Sequence, residues 1–147
     1  FPFALYPASS KYFSISFSVA PSNTGLLISC GSYNSNTGSL AIDSSRGFPR
    51  NAVKPDFTAP GVEILGPLPR NRYGRKSGTS VSGAITAGIA ALMLEWGIVL
   101  KNDMQINTTR IKNYLIRGAR RDQERIYPNR EWGYGQVDLY ETFLGIR

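Results

Sequence analysis

Histidine is absent from all 147 residues, which removes both the most frequent general base and the most frequent metal ligand. Any reaction here that needs an imidazole must draw it from polypeptide outside these residues. Cysteine is nearly absent too. Cys30 is alone, so no intrachain disulfide forms, and its setting in "GLLISCGSY" reads as a buried thiol in a strand; the redox compartment stays open. Acidic residues are scarce, with 10 Asp and Glu against 17 Lys and Arg, a net charge of +7. Long hydrophobic runs are missing as well. Val81 to Leu94 is too short for a bilayer core, which takes about 20 apolar residues, and its continuation to Leu100 carries Glu95, so no membrane span is expected. "FPFALYPASS" at the start lacks the charged beginning, apolar centre and cleavage site of a secretory signal.

What is present suits a folded core: 41% apolar and 12% aromatic residues. Phe13, Ile15, Phe17 and Val19 alternate with serines, the period of a strand with one wet face. "TGLLISCGSYN" is a continuous apolar run, as in a strand covered on both faces. A Ser, Asn, Gly and Pro-rich loop follows. Pro60-Gly61 predicts a type II turn with positive φ at Gly61 and a strand after it, and "LPRNRYGRKS" predicts a hairpin bending near Tyr73-Gly74. One helix is expected from about Ser82 to Trp96, stopped by Gly97. A second should start after Asn107 as N-cap and end near Gly118, with Ile111, Tyr114 and Leu115 on its apolar face and Arg110, Lys112 and Arg117 on its wet one. The tail turns through Gly133 and Gly135 into a short last helix. No repeats are visible.

The chemistry centres on "SGTSVSGAITAGIAALM", residues 77 to 93. If Gly78 bends the backbone and a helix begins just after Ser80, the Ser80 hydroxyl sits at the positive end of a helix dipole beside unpaired N–H groups. Acyl transfer needs that pairing of a nucleophilic oxygen with donors for a developing oxyanion. Ser and Thr are also ordinary N-caps, and small residues at 82, 83, 84, 87 and 88 also serve close packing. The stretch is not the elbow G-x-S-x-G, because Ser82 stands two after Ser80.

"GTSVSGAITAG" resembles the nucleophile motif of subtilisin-like serine proteases, the subtilases. Three further stretches resemble that family in the same order: "SSRGFPRNAVKPDFTAPGVEI", "RNRYGRKSGTS" and "WGYGQVDLYETF". The details of "IKNYLIRGARR" and "PNREWGYGQVDLY" are most similar to subtilases of anaerobic Gram-positive bacteria of the clostridial germination type. The resemblance implies an α/β fold, the C-terminal part of a doubly wound, mostly parallel sheet flanked by helices. It implies residues 26–147 as that part and 1–25 as a β segment ending an inserted β domain. Ser80 becomes the catalytic nucleophile with its own N–H in the oxyanion hole, Gly78 and Thr79 support the turn, and an asparagine outside the chain is the second donor. The catalytic Asp and His, which come earlier in the family's order, are expected in polypeptide preceding these residues, so the chain alone should be inert.

Lys54, Pro55, Asp56, Ala59, Pro60 and Gly61 read as scaffold, and Trp132 and Tyr134 as core or docking aromatics. The implied partners are a peptide or protein substrate and the remainder of the catalytic domain, with no nucleic acid. No cofactor is expected; relatives often bind calcium, without a motif visible here. A secreted, cell-envelope or spore-associated location follows from the resemblance alone. Two rival readings remain: a pseudoprotease acting as a binding protein, and a basic module using Arg117, Arg120, Arg121, Arg125 and Arg130 on an anionic surface, although Asp122, Glu124 and Glu131 interrupt that cluster. The isolated chain should expose a bare strand edge and apolar helix faces, and so dimerise or aggregate.

Overall fold

A parallel strand pair packed against helices gives the chain an α/β fold. The computed structural model describes residues 27–47 and 53–146. The β segment expected at 1–25, with its alternating Phe13 to Val19, lies outside them.

β1 (Cys30–Tyr33) pairs in parallel with β2 (Phe57–Pro60), Cys30 opposite Phe57 and Tyr33 opposite Pro60. Gly31 to Tyr33 and Phe57 to Ala59 are buried irrespective of the face they point to, as in a strand pair covered on both sides. The far edge of β2 does not stay open. Thr58 N–H donates to the Gly135 carbonyl at 2.9 Å and the Val137 N–H to the Thr58 carbonyl at 2.8 Å, so the chain around Gln136 adds a short parallel bridge. On the outer edge of β1 the Ala41 N–H donates to the Ser32 carbonyl at 2.9 Å. The expected bare edge is therefore partly covered by the chain's own loops.

α1 (Thr79–Leu94) begins three residues earlier than expected and runs on through a π-helical turn, Glu95–Val99. Gly97 does not stop it. A Cβ there would lie 2.8 Å from Ile106 Cγ2 and 3.0 Å from the Asp103 carbonyl oxygen, so this glycine admits the following loop against the helix. α2 (Thr108–Gly118) has the predicted cap, Asn107 Oδ1 accepting from the Arg110 N–H at 3.0 Å. α3 (Leu139–Gly145) is capped by Asp138, whose Oδ1 accepts from the Glu141 N–H at 3.0 Å. α2 and α3 meet where Gly118 leaves room for Thr142; a Cβ would sit 2.3 Å from Thr142 Oγ1.

Phe57, Met93, Ile106, Ile111 and Leu115 form the core between the sheet and these helices, with Trp96 edge-on to Tyr114 at 6.1 Å beside them. Each such side chain, fully buried, contributes about 1.5–3 kcal/mol. Trp132 is buried near the Tyr33 ring, 6.1 Å between centroids, in the core role expected of it.

β3 (Ile64–Leu68) and β4 (Arg72–Lys76) form an antiparallel hairpin. Its bend is at residues 69–71, where Arg70 and Asn71 take positive φ, not near Tyr73-Gly74. Gly74 lies inside β4 because a Cβ there would come within 2.6 Å of Leu68 Cδ1. The type II turn at Gly61 is also absent: β2 runs through Pro60, and the positive φ falls on Glu63.

Much of α1 faces outward. Leu92, Leu94, Ile98, Val99, Leu100 and Met104 are exposed among the described residues, as the reading of apolar helix faces anticipated. By length and composition alone Thr79–Val99 could cross a membrane. The hydroxyls it sends into the sheet, and Met93 in the core, are features of a helix packed within a protein.

Candidate active site

The site is built where β2 leaves the sheet and α1 returns to it. Gly61 N–H donates to the Tyr33 carbonyl at 3.0 Å, and its own carbonyl accepts from the Gly78 N–H at 2.7 Å, bringing the two ends of the hairpin excursion together. A Cβ on Gly61 would lie 2.1 Å from Ser82 Oγ and 2.3 Å from Ser32 Oγ. Close approach, not positive φ, demands glycine at this position. At the base of the hairpin the Glu63 N–H donates to Ser77 Oγ at 2.9 Å.

Gly78 has φ 145° and ψ 159°, a conformation essentially confined to glycine, and its carbonyl accepts from the N–H groups of Val81 at 3.0 Å and Ser82 at 3.3 Å. The backbone bend expected at Gly78 is present. The helix starts at Thr79, so Ser80 lies inside its first turn and not before it. Ser82 Oγ is fully buried and donates to the Ala59 carbonyl at 3.0 Å, and Thr86 Oγ1, one turn on, donates to the Ser82 carbonyl at 2.9 Å. Those two residues fix the inward face. Ser80, two positions earlier and so about 200° around the axis, is turned to the exposed side.

No side chain caps α1, and no acidic residue stands in its first turn. The N–H groups of Thr79 and Ser80 precede the first intrahelical bonds, at an end carrying about half a positive charge. An exposed hydroxyl, adjacent N–H donors and an uncompensated dipole thus share one bend. They can hold the negative charge that develops on a carbonyl oxygen when Ser80 Oγ adds to its carbon.

The chain's other candidate groups are spent elsewhere. Asp56, fully buried, pairs with Lys54 Nζ at 2.7 Å and Lys112 Nζ at 2.5 Å and accepts from the Ser29 N–H at 2.8 Å. It is scaffold, as expected, but Lys112 is not on a wet face: it reaches from α2 to this carboxylate. Cys30 is half-buried rather than buried, and desolvation pushes its thiol above the ordinary pKa, outweighing the hydrogen bond with Thr86. Asp103, which the sequence did not single out, accepts from Tyr114 Oη at 2.8 Å and the Gln105 N–H at 3.1 Å and pairs with Arg110. The basic cluster is also engaged. Arg120 bonds Gln136 at 2.7 Å, Arg121 the Tyr134 carbonyl at 2.9 Å, Arg130 the Gly47 carbonyl at 2.9 Å, and Arg125 lies 4.6 Å from the Trp132 ring centroid. These four arginines stitch loops together, while Arg117, the fifth of the cluster, is exposed on α2.

Comparison with known proteins identifies the family and the fold. The sequence profile of the Subtilase family matches residues 13–135. C5a peptidase of Streptococcus pyogenes is 33% identical over 92 residues, which span 58% of this chain and 8% of that protein. Subtilisin-like protease SBT6.1 of Arabidopsis thaliana is 33% identical over 92 residues, 62% of this chain and 9% of that one. Among solved structures, the Clostridium perfringens CspB protease superposes with a TM-score of 0.83 at 41% identity, over 86% of this chain and 28% of that one. The prenylagaramide maturation protease PagA shares the fold at a TM-score of 0.70 and 24% identity, over 87% of this chain and 45% of that one. The chain therefore spans less than a tenth of these curated relatives and under a third of the CspB protease. With that profile matching residues 13–135, most of its length, the chain belongs to the Subtilase family.

Proposed function

We propose that the protein containing this chain is a serine endopeptidase of the subtilisin type, with Ser80 as its nucleophile. Ser80 Oγ attacks the peptide carbonyl, its proton passing to a histidine outside this chain; the amine leaves, and water releases the acyl group from Ser80. The Ser80 N–H donates to the oxyanion together with an asparagine outside the chain, Gly78 supplies the bend and Thr79 supports it. The observation that carries this reading is the exposed Ser80 in the uncapped first turn of α1, directly after a residue at φ 145°.

The partner of the chain is then the remainder of the catalytic domain, docking on the outward face of α1. Ala84, Ala87, Gly88 and Ala91, spaced one helical turn apart and all exposed, offer a flat surface for close packing. A secreted or cell-envelope location, without a membrane span, accompanies the family resemblance. The engagement of the arginines within the fold weighs against the nucleic-acid reading.

The test is peptide hydrolysis by the full-length protein and its Ser80→Ala variant. Hydrolysis lost in the variant, with unchanged unfolding, supports the endopeptidase. A well-folded parent that cleaves no protein substrate supports the pseudoprotease instead.

A further inference from the structure

The β3–β4 hairpin carries charge that the fold does not use. From Ile64 to Lys76 it holds Arg70, Arg72, Arg75 and Lys76 and no acidic residue. None of the four forms an ion pair with another described residue, in contrast to Arg46, Arg110 and Arg125. Arg75 donates to the Glu63 carbonyl at 2.9 Å, a backbone contact that leaves its charge unbalanced. All four are exposed. The register puts Leu65 opposite Arg75 and Pro67 opposite Tyr73 on one face, where Leu65 is 62% and Tyr73 73% exposed. Two large apolar side chains on the same exposed face as an unpaired cation are more than a solvated strand requires.

β4 runs straight into Ser77, Gly78 and Ser80, so the hairpin is the wall through which the chain enters the site. At about 3.3 Å per residue, Arg72 lies roughly 13 Å along β4 from Lys76. An extended peptide covers that distance in about four residues.

We infer that this hairpin is an exosite for an acidic segment of the protein substrate, placed some four or more residues from the cleaved bond. The inference rests on the endopeptidase reading above. Carboxylates pair with Arg75, and with Arg70 at the bend, while apolar side chains of the segment lie on Leu65 and Tyr73, which share the face of Arg75. The gain falls on binding, not on the acyl-transfer step, because the contacts are the same before and during reaction.

The experiment uses the full-length protein and peptides sharing one cleaved sequence, with or without a run of glutamates about four residues from the scissile bond on either side. The acidic peptide on one side should show KM lower by about tenfold with kcat unchanged, an advantage that shrinks at high salt. Arg70→Ser with Arg75→Ser should erase the advantage and leave cleavage of the plain peptide as it was, while Arg70→Lys with Arg75→Lys should keep most of it. Equal KM values on both sides, or an advantage that survives the serine variant, overturns the inference. If neither peptide is cleaved, the endopeptidase reading fails. Anisotropy of the labelled acidic peptide on the Ser80→Ala protein then decides the hairpin separately, binding lost in the serine variant supporting it and no salt-sensitive binding overturning it.

Discussion

Ser82 Oγ donates to the Ala59 carbonyl at 3.0 Å, so the first turn of α1 is fastened to β2 by a residue two positions past Ser80. The same oxygen lies 3.2 Å from the Pro60 carbonyl. This fastening sets the rotation of the helix and hence the outward direction of Ser80. Ser82→Ala removes one buried hydrogen bond and should cost about 1 kcal/mol in urea unfolding of the full-length protein. Stability equal to the parent's would mean that the hydroxyl does not tether the helix.

Gly61 should tolerate even less. Its missing Cβ leaves room for both Ser82 Oγ and Ser32 Oγ, so Gly61→Ala forces the helix start away from the sheet. Overpacking of this kind costs about 1–3 kcal/mol. A displaced Ser80 should also lower kcat more than it raises KM, since the loss is in positioning. An alanine variant with parental melting temperature and kcat would contradict the close approach.

Asp56 joins the approach to β2 with the Ser29 backbone and, through Lys112, with α2. Asp56→Asn keeps the shape but strands two lysines, Lys54 with a side chain 10% exposed and Lys112 with one 18% exposed. Breaking a buried pair in this way costs about 3 kcal/mol or more. Replacing Asp56 and both lysines by apolar residues together should recover part of the loss, which a triple variant no more stable than Asp56→Asn would disprove.

Asp103 should contribute to the acid limb of the stability. Desolvation alone would raise its pKa, but the hydrogen bonds from Tyr114 and the Gln105 N–H and the charge of Arg110 outweigh it and hold the carboxyl below its ordinary value. A depressed folded pKa means stabilisation that is complete above the unfolded value of about 4 and is lost as pH falls below it. Tyr114 is the mirror case: its hydrogen bond to Asp103 raises its pKa, so that contribution is complete below about pH 10 and is lost above it. Urea unfolding of Asp103→Asn should show a smaller stability loss between pH 5 and pH 3 than the parent. Parallel losses would remove Asp103 from the acid response.

What the residues announced and what they concealed follow one division. Asn107 as a cap and the bend at Gly78 rest on local chemistry, and each is in place. The strand covered on both faces is there too, but it runs from Cys30 through Gly31 and Ser32, where the apolar run reads as closing. The glycines misled where a packing contact beyond their immediate neighbours needed them. Gly61, Gly74 and Gly97 read as turn or stop, yet each lies against a side chain or carbonyl that local sequence does not identify: Ser82, Leu68 and Ile106. Lys112 and Asp103 were hidden for the same reason, since charge on a helix or loop reads as solvated until a tertiary partner is known. The bend that sets Ser80 at the start of α1 was legible because Gly78 answers a local backbone requirement. The proton acceptor of Ser80 was not, because the chain contains no histidine.

Labelling of the full-length protein with a fluorophosphonate, followed by peptide mapping, tests the role of Ser80 most directly. A covalent adduct on Ser80, abolished by Ser80→Ala and suppressed by competing protein substrate, is the result expected. A folded full-length protein that takes up no label, or takes it up equally without Ser80, would contradict the assignment.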